Sequence, residues 1–331
     1  MARPAIRLKR GDPMAEIAGD MGKRHEKFRR LVEAAQQQQR VPTATAHPCD
    51  EVSLGGAVEA AKLGLIAPIL VGPSARVRDT AARAALDIAS FPLIDAAHSA
   101  ESARKAVEVV RSGRAEALMK GSLHTDELMA AVVSREAGLR TARRISHCFI
   151  MDVPGHANPL IVTDAAVNIA PDLEVKADII QNAIELAVAI GAREVRVAIL
   201  SALETVTSKV PSTIEAAALC KMADRGQITG GILDGPLALD NAISPDAAKM
   251  KNINSPVAGR ANVLVVPDLE AGNMLAKSLS FLAGADAAGI VLGARVPVIL
   301  TSRADALLAR LASCAVAVLL AASRGRQGGL K

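Results

Sequence analysis

The chain has 331 residues, half of them hydrophobic and 22% charged, a balance that supplies ample core and excludes a disordered polypeptide. It has no Trp, no Tyr and four Phe, so its core is aliphatic, and recognition by stacking on aromatic rings, as in single-stranded nucleic-acid binding, is disfavoured. Its 39 basic and 34 acidic side chains leave a net charge of +5, which suits either extra surface Lys and Arg or a small anionic ligand.

Residues 1–40 are charged and end in a helical-looking stretch, GKRHEKFRRLVEAAQQQQR. From about residue 41, short apolar runs alternate with longer Ala-rich amphipathic segments, with turn residues between them. Strands are expected at 42–47, 66–72, 91–95, 115–121, 145–153, 158–169, 195–202, 229–234, 261–267, 287–292 and 296–301. Helices are expected at 53–64, 74–86, 99–112, 125–134, 173–190, 212–226, 240–251, 271–283 and 303–323. Ser99 and Thr125 read as N-caps, and Gly191 as a helix stop.

This alternation argues for an α/β fold with largely parallel sheets. The runs IAPILVG, VRVAILSA and ANVLVVPDL are near-continuously apolar, as in strands covered on both faces. The strand count exceeds one comfortable open sheet, so two α/β domains with a cleft between them are expected. The break falls at the consecutive strands of 145–169, giving a first domain of 1–150 plus 296–331 and a second of 151–295. The last helix is expected to pack back on the first.

Cys49, Cys148, Cys220 and Cys314 form no Cys-x-x-Cys pair, so a zinc ribbon and a thioredoxin motif are both excluded. The six histidines show no metal-ligand spacing, and no metal is expected. Dispersed thiols, no apolar signal core and an apolar run, Leu311 to Ala322, too short for a bilayer point to a cytoplasmic protein.

Ligands of α/β proteins sit beyond the carboxyl ends of strands. After the strand at 115–121 comes Met119-Lys120-Gly121-Ser122-Leu123-His124-Thr125-Asp126, a cation and hydroxyls ahead of a helix N-terminus, which suits an anion or is an ordinary capped turn. Arg135, Arg140, Arg143 and Arg144 form either a solvated face or a phosphate cluster. Ser146 and His147 follow on the next strand, where His147 reads as a hydrogen-bonded structural histidine. Thr301-Ser302-Arg303-Ala304-Asp305 puts a hydroxyl, a guanidinium and a carboxylate at the start of the last helix, as caps, as chemistry, or as both. The segments Leu233–Asn241 and Ser255–Asn262 read as loops at a cleft rim. Gly-x-Gly-x-x-Gly, Gly-x-Ser-x-Gly and a Walker A loop are all missing.

Taken together, these stretches resemble the phosphate acetyltransferase / phosphate butyryltransferase family. The matching segments are HPCDEVSLGGAVEAAKLGLIAPILVGP, ALMKGSLHTDELM, RRISHCFIMDVPG, TDAAVNIAPDL, VAILSALETV, ILDGPLALDNAIS, SPVAGRANVLVVPDLEAGNMLAK and GIVLGARVPVILTSRAD, from about residue 23 to the C-terminus. Within the family the chain looks most like the acyltransferase part of proteins that also carry an enoyl-CoA hydratase domain, which is not among these residues.

The resemblance implies a two-domain α/β fold like that of isocitrate and isopropylmalate dehydrogenases, a homodimer, and reversible transfer of an acyl group between coenzyme A and phosphate. Coenzyme A would be a substrate, with no bound cofactor, metal or enzyme nucleophile; the cysteines would be structural. The resemblance assigns catalysis to Ser302, Arg303 and Asp305. Acetyl-specific members carry a proton-accepting Asp seven residues after that Ser, where this chain has Ala309. Lys120, Ser122, Arg140, Arg143, Arg144 and Ser146 are the candidates for phosphate and coenzyme A contacts. The alternatives are a phosphate butyryltransferase with a longer acyl preference, a metal- and NAD-dependent dehydrogenase on the same fold, and a silent subunit that binds coenzyme A.

Overall fold

The computed structural model describes residues 25–301 and 306–328. Eleven strands appear in the described residues, one for each expected from sequence: β1 (Val41–Ala46), β2 (Ile66–Gly72), β3 (Leu93–Asp95), β4 (Ala117–Lys120), β5 (Ser146–Asp152), β6 (Leu160–Thr163), β7 (Arg196–Leu200), β8 (Ile232–Leu237), β9 (Val263–Val265), β10 (Asp286–Leu292) and β11 (Val298–Ile299). The helices are α1 (Glu26–Gln36), α2 (Glu51–Lys62), α3 (Ser74–Arg83), α4 (Ser99–Arg111), α5 (Thr125–Val133), α6 (Leu173–Ala189), α7 (Pro211–Asp224), α8 (Leu239–Ile243), α9 (Pro245–Met250), α10 (Leu269–Leu282) and α11 (Leu307–Gly328).

All eleven strands share one hydrogen-bonded sheet, in the order β3-β2-β1-β4-β11-β10-β5-β6-β9-β7-β8. Strands β3, β2, β1, β4 and β11 run parallel to one another. So do β6, β9, β7 and β8. Between them β10 is antiparallel to both β11 and β5, and β5 is antiparallel to β6, so the two parallel halves point in opposite directions. The sheet continues unbroken across the point where the sequence suggests separate sheets.

One face of this sheet, the sealed face, is covered by helices except for a hollow at the start of β5. A single apolar cluster runs from Val41 and Ile66 through Met119, Ile290 and Ile150 to Val263 and Ile199. It also takes in Phe28 of α1, Ala57 of α2, Ile180 of α6, Leu219 of α7 and Leu311 to Leu320 of α11. The opposite face carries two clusters. One holds Leu118, Val291 and Val298 under α4 and α5; the other holds Met151, Val162 and Leu264 beside α8 and α9, with Leu275 and Leu279 of α10 against it.

Helix α11 is long and apolar enough to cross a membrane, although its uninterrupted apolar run is short. Two thirds of it is buried inside the protein, with Leu311, Cys314, Val316 and Val318 fully enclosed, so here it serves as a core helix.

Local chemistry sets the boundaries. Asp50, Asp172 and Asp268 cap α2, α6 and α10 by accepting the N–H groups of Ser53, Val175 and Ala271 at 2.7, 2.9 and 2.8 Å. The caps of α4 and α5 are His98 and His124, one residue before the expected Ser99 and Thr125. The expected strand 158–169 stops at Thr163, because the Asp164 carboxylate gathers the N–H groups of Ala166, Val167 and Asn168 at 3.0, 3.0 and 3.2 Å and turns the chain. The expected helix 240–251 divides at Ser244, whose hydroxyl accepts the Ala247 N–H at 3.3 Å while Pro245 starts the second piece.

Asp234-Gly235-Pro236 is not a rim loop. It lies within β8, an edge strand, where a missing proline N–H costs no ladder bond. The segment 255–262 is also structural: Ser255 Oγ accepts the N–H groups of Val257 and Ala258, and Asn262 clamps β7 by accepting the Arg196 N–H and donating to the Glu194 carbonyl.

Candidate active site

The cover on the open face parts between the two clusters, and a cavity of about 410 Å³ occupies the gap. Its floor is the antiparallel centre of the sheet, with His147 and Phe149 of β5 and Ala287 and Gly289 of β10. Its walls come from Lys120 at the end of β4, His124 and Thr125 at the start of α5, and Leu300 and Thr301 after β11.

The end of β4 is held rigidly. Gly121 N–H donates to the Ala46 carbonyl at 2.8 Å, and Ser122 N–H to the His47 carbonyl at 2.9 Å. A Cβ on Gly121 would lie 2.3 Å from the Ala46 oxygen, so only glycine permits this approach. Lys120 is thereby fixed at the cavity wall, 6% exposed, beside the N-terminus of α5. A cation next to the free N–H groups and positive pole of a helix is an anion site of known physics. Ser122 contributes differently: its hydroxyl donates to the His47 carbonyl at 2.8 Å and accepts the Cys49 N–H at 3.3 Å, so it braces the turn.

On the floor, the His147 ring lies edge-on to Phe149, with centroids 4.4 Å apart at 70°. It is 1% exposed, and its Nδ1 has no hydrogen-bond partner among the described residues. Burial pushes its pKa down to about 4, against a smaller opposing pull from Asp164. Gly289 makes room for this ring, because a Cβ there would sit 2.7 Å from the Leu300 carbonyl oxygen and 3.0 Å from His147 Nε2. Gly289 N–H donates to Ser313 Oγ at 3.1 Å, tying the floor to α11 on the sealed face.

The other expected site residues fall elsewhere. Ser302, Arg303 and Asp305 lie outside the described residues, immediately after Thr301 of the cavity wall. Ala309, in the first turn of α11, is buried and offers no acid. Ser146 is fully buried on the opposite face of β5 from His147, where its hydroxyl accepts Asn182 Nδ2 at 2.8 Å.

The arginines also miss the cavity. Arg143 is paired with Glu185 in a separate hollow of about 530 Å³ that also holds Arg295 and Arg324, at the start of β5 and against α6 and α11. There burial, with help from Arg143, pulls the Arg324 pKa down. Arg144 is exposed and gives its N–H to Asp178 at 2.8 Å; Arg140 is exposed, and its backbone bridges to Ala294. Lys120 and Arg143 are therefore on opposite faces and opposite ends of the sheet. The sequence places these residues close in number, but strand direction and alternation separate them in space.

The thiols are poor nucleophiles: burial pushes Cys148, Cys220 and Cys314 up to about 12 and Cys49 up to about 11. Among the described residues no group of three or more His, Cys, Asp or Glu side chains could hold a metal.

A model of the family described as phosphate acetyl/butaryl transferase matches residues 97–318. A phosphate acetyltransferase of Rhizobium meliloti is 66% identical over 298 residues, 90% of this chain and 94% of that protein. A phosphate butyryltransferase of Clostridium acetobutylicum is 36% identical over 90% of this chain and 99% of its own length. The crystal structure of a branched-chain phosphotransacylase from Enterococcus faecalis V583 superposes with a TM-score of 0.74 at 28% identity, covering 85% of this chain and 99% of that one. A cavity walled by a lysine and a helix N-terminus, a Ser-Arg motif directly after it and these likenesses agree: the chain belongs to the phosphate acetyl/butyryl transferase family.

Proposed function

We propose that this chain catalyses the reversible reaction of acetyl-CoA and phosphate to give coenzyme A and acetyl phosphate, by direct attack of the thiol within a ternary complex. The observation that carries the reading is the join of Lys120, the α5 N-terminus and Thr301 in one cavity, with the Ser302-Arg303 pair following in the chain. A leaving phosphate needs cationic and N–H donors fixed before the reaction, and this wall supplies them. Arg303 joins Lys120 in holding the phosphate, Ser302 hydrogen-bonds near the thiol or carbonyl, and Asp305 completes the catalytic set as the acid nearest to the pair in the chain. The likeness to an acetyltransferase at 66% identity, against 36% to a butyryltransferase, favours the acetyl group.

The reaction takes place without a metal, in the cytoplasm and in a homodimer, with coenzyme A as substrate. The cleft is the boundary between a first unit of 1–150 plus 296–331 and a second of 151–295. The aliphatic walls Leu123 and Leu300 receive the acyl chain, since the sequence offers almost no aromatic surface.

The test is thioester formation from coenzyme A with acetyl, propionyl and butyryl phosphates. Turnover highest with acetyl phosphate is expected; no thioester from any of the three overturns the reading. Arg303→Ala is expected to lower kcat about 10²–10³-fold, the usual cost of one donor to a developing oxyanion. Family membership leaves no ground for the dehydrogenase alternative.

A further inference from the structure

The proposed transfer requires coenzyme A to lose its thiol proton before or during attack on the carbonyl carbon. Three titratable side chains line the cavity among the described residues: Lys120, His124 and His147. Lys120 is the cation for the phosphate. His124 is exposed at the rim, where its backbone N–H donates to Glu127. His147 lies at the floor, and no task in the binding of phosphate falls to it.

Its surroundings are unusual for a structural histidine. A buried ring nitrogen without a partner forgoes the hydrogen bond it would make in water and calls for an explanation. Here Nδ1 is such an atom, while Phe149 and Gly289 hold the ring in place and Thr163 Oγ donates to the backbone carbonyl of His147 at 2.9 Å. We infer that His147 is the catalytic base of the transfer, accepting the thiol proton of coenzyme A on its imidazole at the cavity floor; this rests on the reading of the chain as a coenzyme A–phosphate acyltransferase.

In the step, the S–H proton passes to the imidazole, and the sulfur electron pair forms the C–S bond with the acyl carbon. The C–O bond to phosphate then breaks, and phosphate departs with that electron pair. The imidazolium returns its proton to the departing phosphate, so acyl-CoA and hydrogen phosphate leave a neutral histidine behind. The charged and titratable groups around the ring are Asp164 after β6, Lys120 from β4 and His124 before α5. Asp164 favours the imidazolium, and the thiolate formed beside the ring does so further. Burial keeps the ring unprotonated at neutral pH, the state from which a base accepts a proton.

The test uses the full chain with coenzyme A and acetyl phosphate. His147→Asn is expected to lower kcat about 100-fold or more, with KM for acetyl phosphate within a few-fold, as for loss of a general base. His147→Ala is expected to recover part of its rate with added imidazole, which a structural role would not produce. Spectra of the wild-type chain with ¹⁵N-labelled histidine, in which six residues contribute, provide a readout that needs no variant. The His147 resonances should move on adding coenzyme A and stay still with its desulfo analogue.

An inactive wild type overturns the transferase reading and this inference with it. An active wild type with His147→Asn within threefold of its kcat, or with an identical response to the two analogues, overturns this inference alone.

Discussion

On one face of the sheet a single apolar cluster runs unbroken from Val41 to Ile199 beneath five helices, while on the other the cover parts between Leu118 and Met151 and a cavity opens. The two faces share the same strands, and their residues alternate along the same backbone. In β5, Cys148 and Ile150 face the sealed side, and His147 and Phe149 face the open one. The comparison teaches a division of labour. The sealed face is packed with aliphatic side chains, whereas the buried Lys120 and the imidazole of His147, whose Nδ1 is unpartnered among the described residues, lie at the gap in the other cover.

That division gives a first way to break the comparison. Lys120→Met on the open face is expected to reduce kcat/KM for acetyl phosphate about 10²–10³-fold, because a fixed cation aimed at a departing oxyanion is lost. The thermal midpoint should move little, since Met fills the same space and no buried charge remains. Kinetics and a melting curve on the same sample check both halves of the statement. A large fall in stability with normal kinetics would place Lys120 with the sealed face instead.

The counterpart is Leu311→Ala on the sealed face, where Leu311 is fully buried in α11. It is expected to cost about 2–5 kcal/mol in denaturant unfolding, the range for deleting a core leucine. Turnover per folded molecule should stay near that of the wild type. A loss of kcat at full foldedness would mean that α11 sets the cavity through Ser313 and Gly289 rather than merely supporting it.

Much of this arrangement was legible in the sequence, for local reasons. Alternation of apolar runs and amphipathic segments located every strand of the sheet, and Lys120-Gly121 ahead of a helix was already an anion candidate. The reversal at β10 and β5 was not legible, because pairing direction depends on partners more than 100 residues apart, as in Ile290 opposite Cys148. Because β5 runs in the same sense as β4, Arg143 just before β5 lies at the far end of the sheet from Lys120 at the end of β4, so proximity in sequence misled. The sequence suggests a hydrogen-bonded structural role for His147, yet its Nδ1 has no partner among the described residues. The signal against that reading was its place two residues before Phe149, which puts both on one face of the strand, but nothing local reveals that this face lacks a helix above it.

The titration of His147 sharpens the comparison further. Its pKa falls from 6.5 in the unfolded chain to about 4 in the fold, so between those values the unfolded state binds a proton that the native state does not. Stability therefore rises with pH through that window and is lost as pH falls from 6.5 toward 4. One buried group of this kind contributes on the order of 3 kcal/mol across the window. His147→Asn should flatten that portion of the stability profile measured by denaturant unfolding, whereas Leu311→Ala should lower the whole profile without changing its slope. An unchanged slope in His147→Asn would show that the ring is solvated.

The smallest expected effect belongs to Arg143. It lies near the start of β5, paired with Glu185 and crowded by Arg295 and Arg324, while the cavity is built at the far end of β4 on the other face. The Arg143–Glu185 pair is itself partly exposed, and such pairs contribute about 0–1 kcal/mol. Arg143→Ala is thus expected to change KM for coenzyme A less than threefold and to shift stability by no more than about 1 kcal/mol. A tenfold or larger rise in that KM would mean that coenzyme A runs along the arginine hollow. Both faces of the sheet would then carry substrate, and the division between a sealed face and a working face would fail at that point.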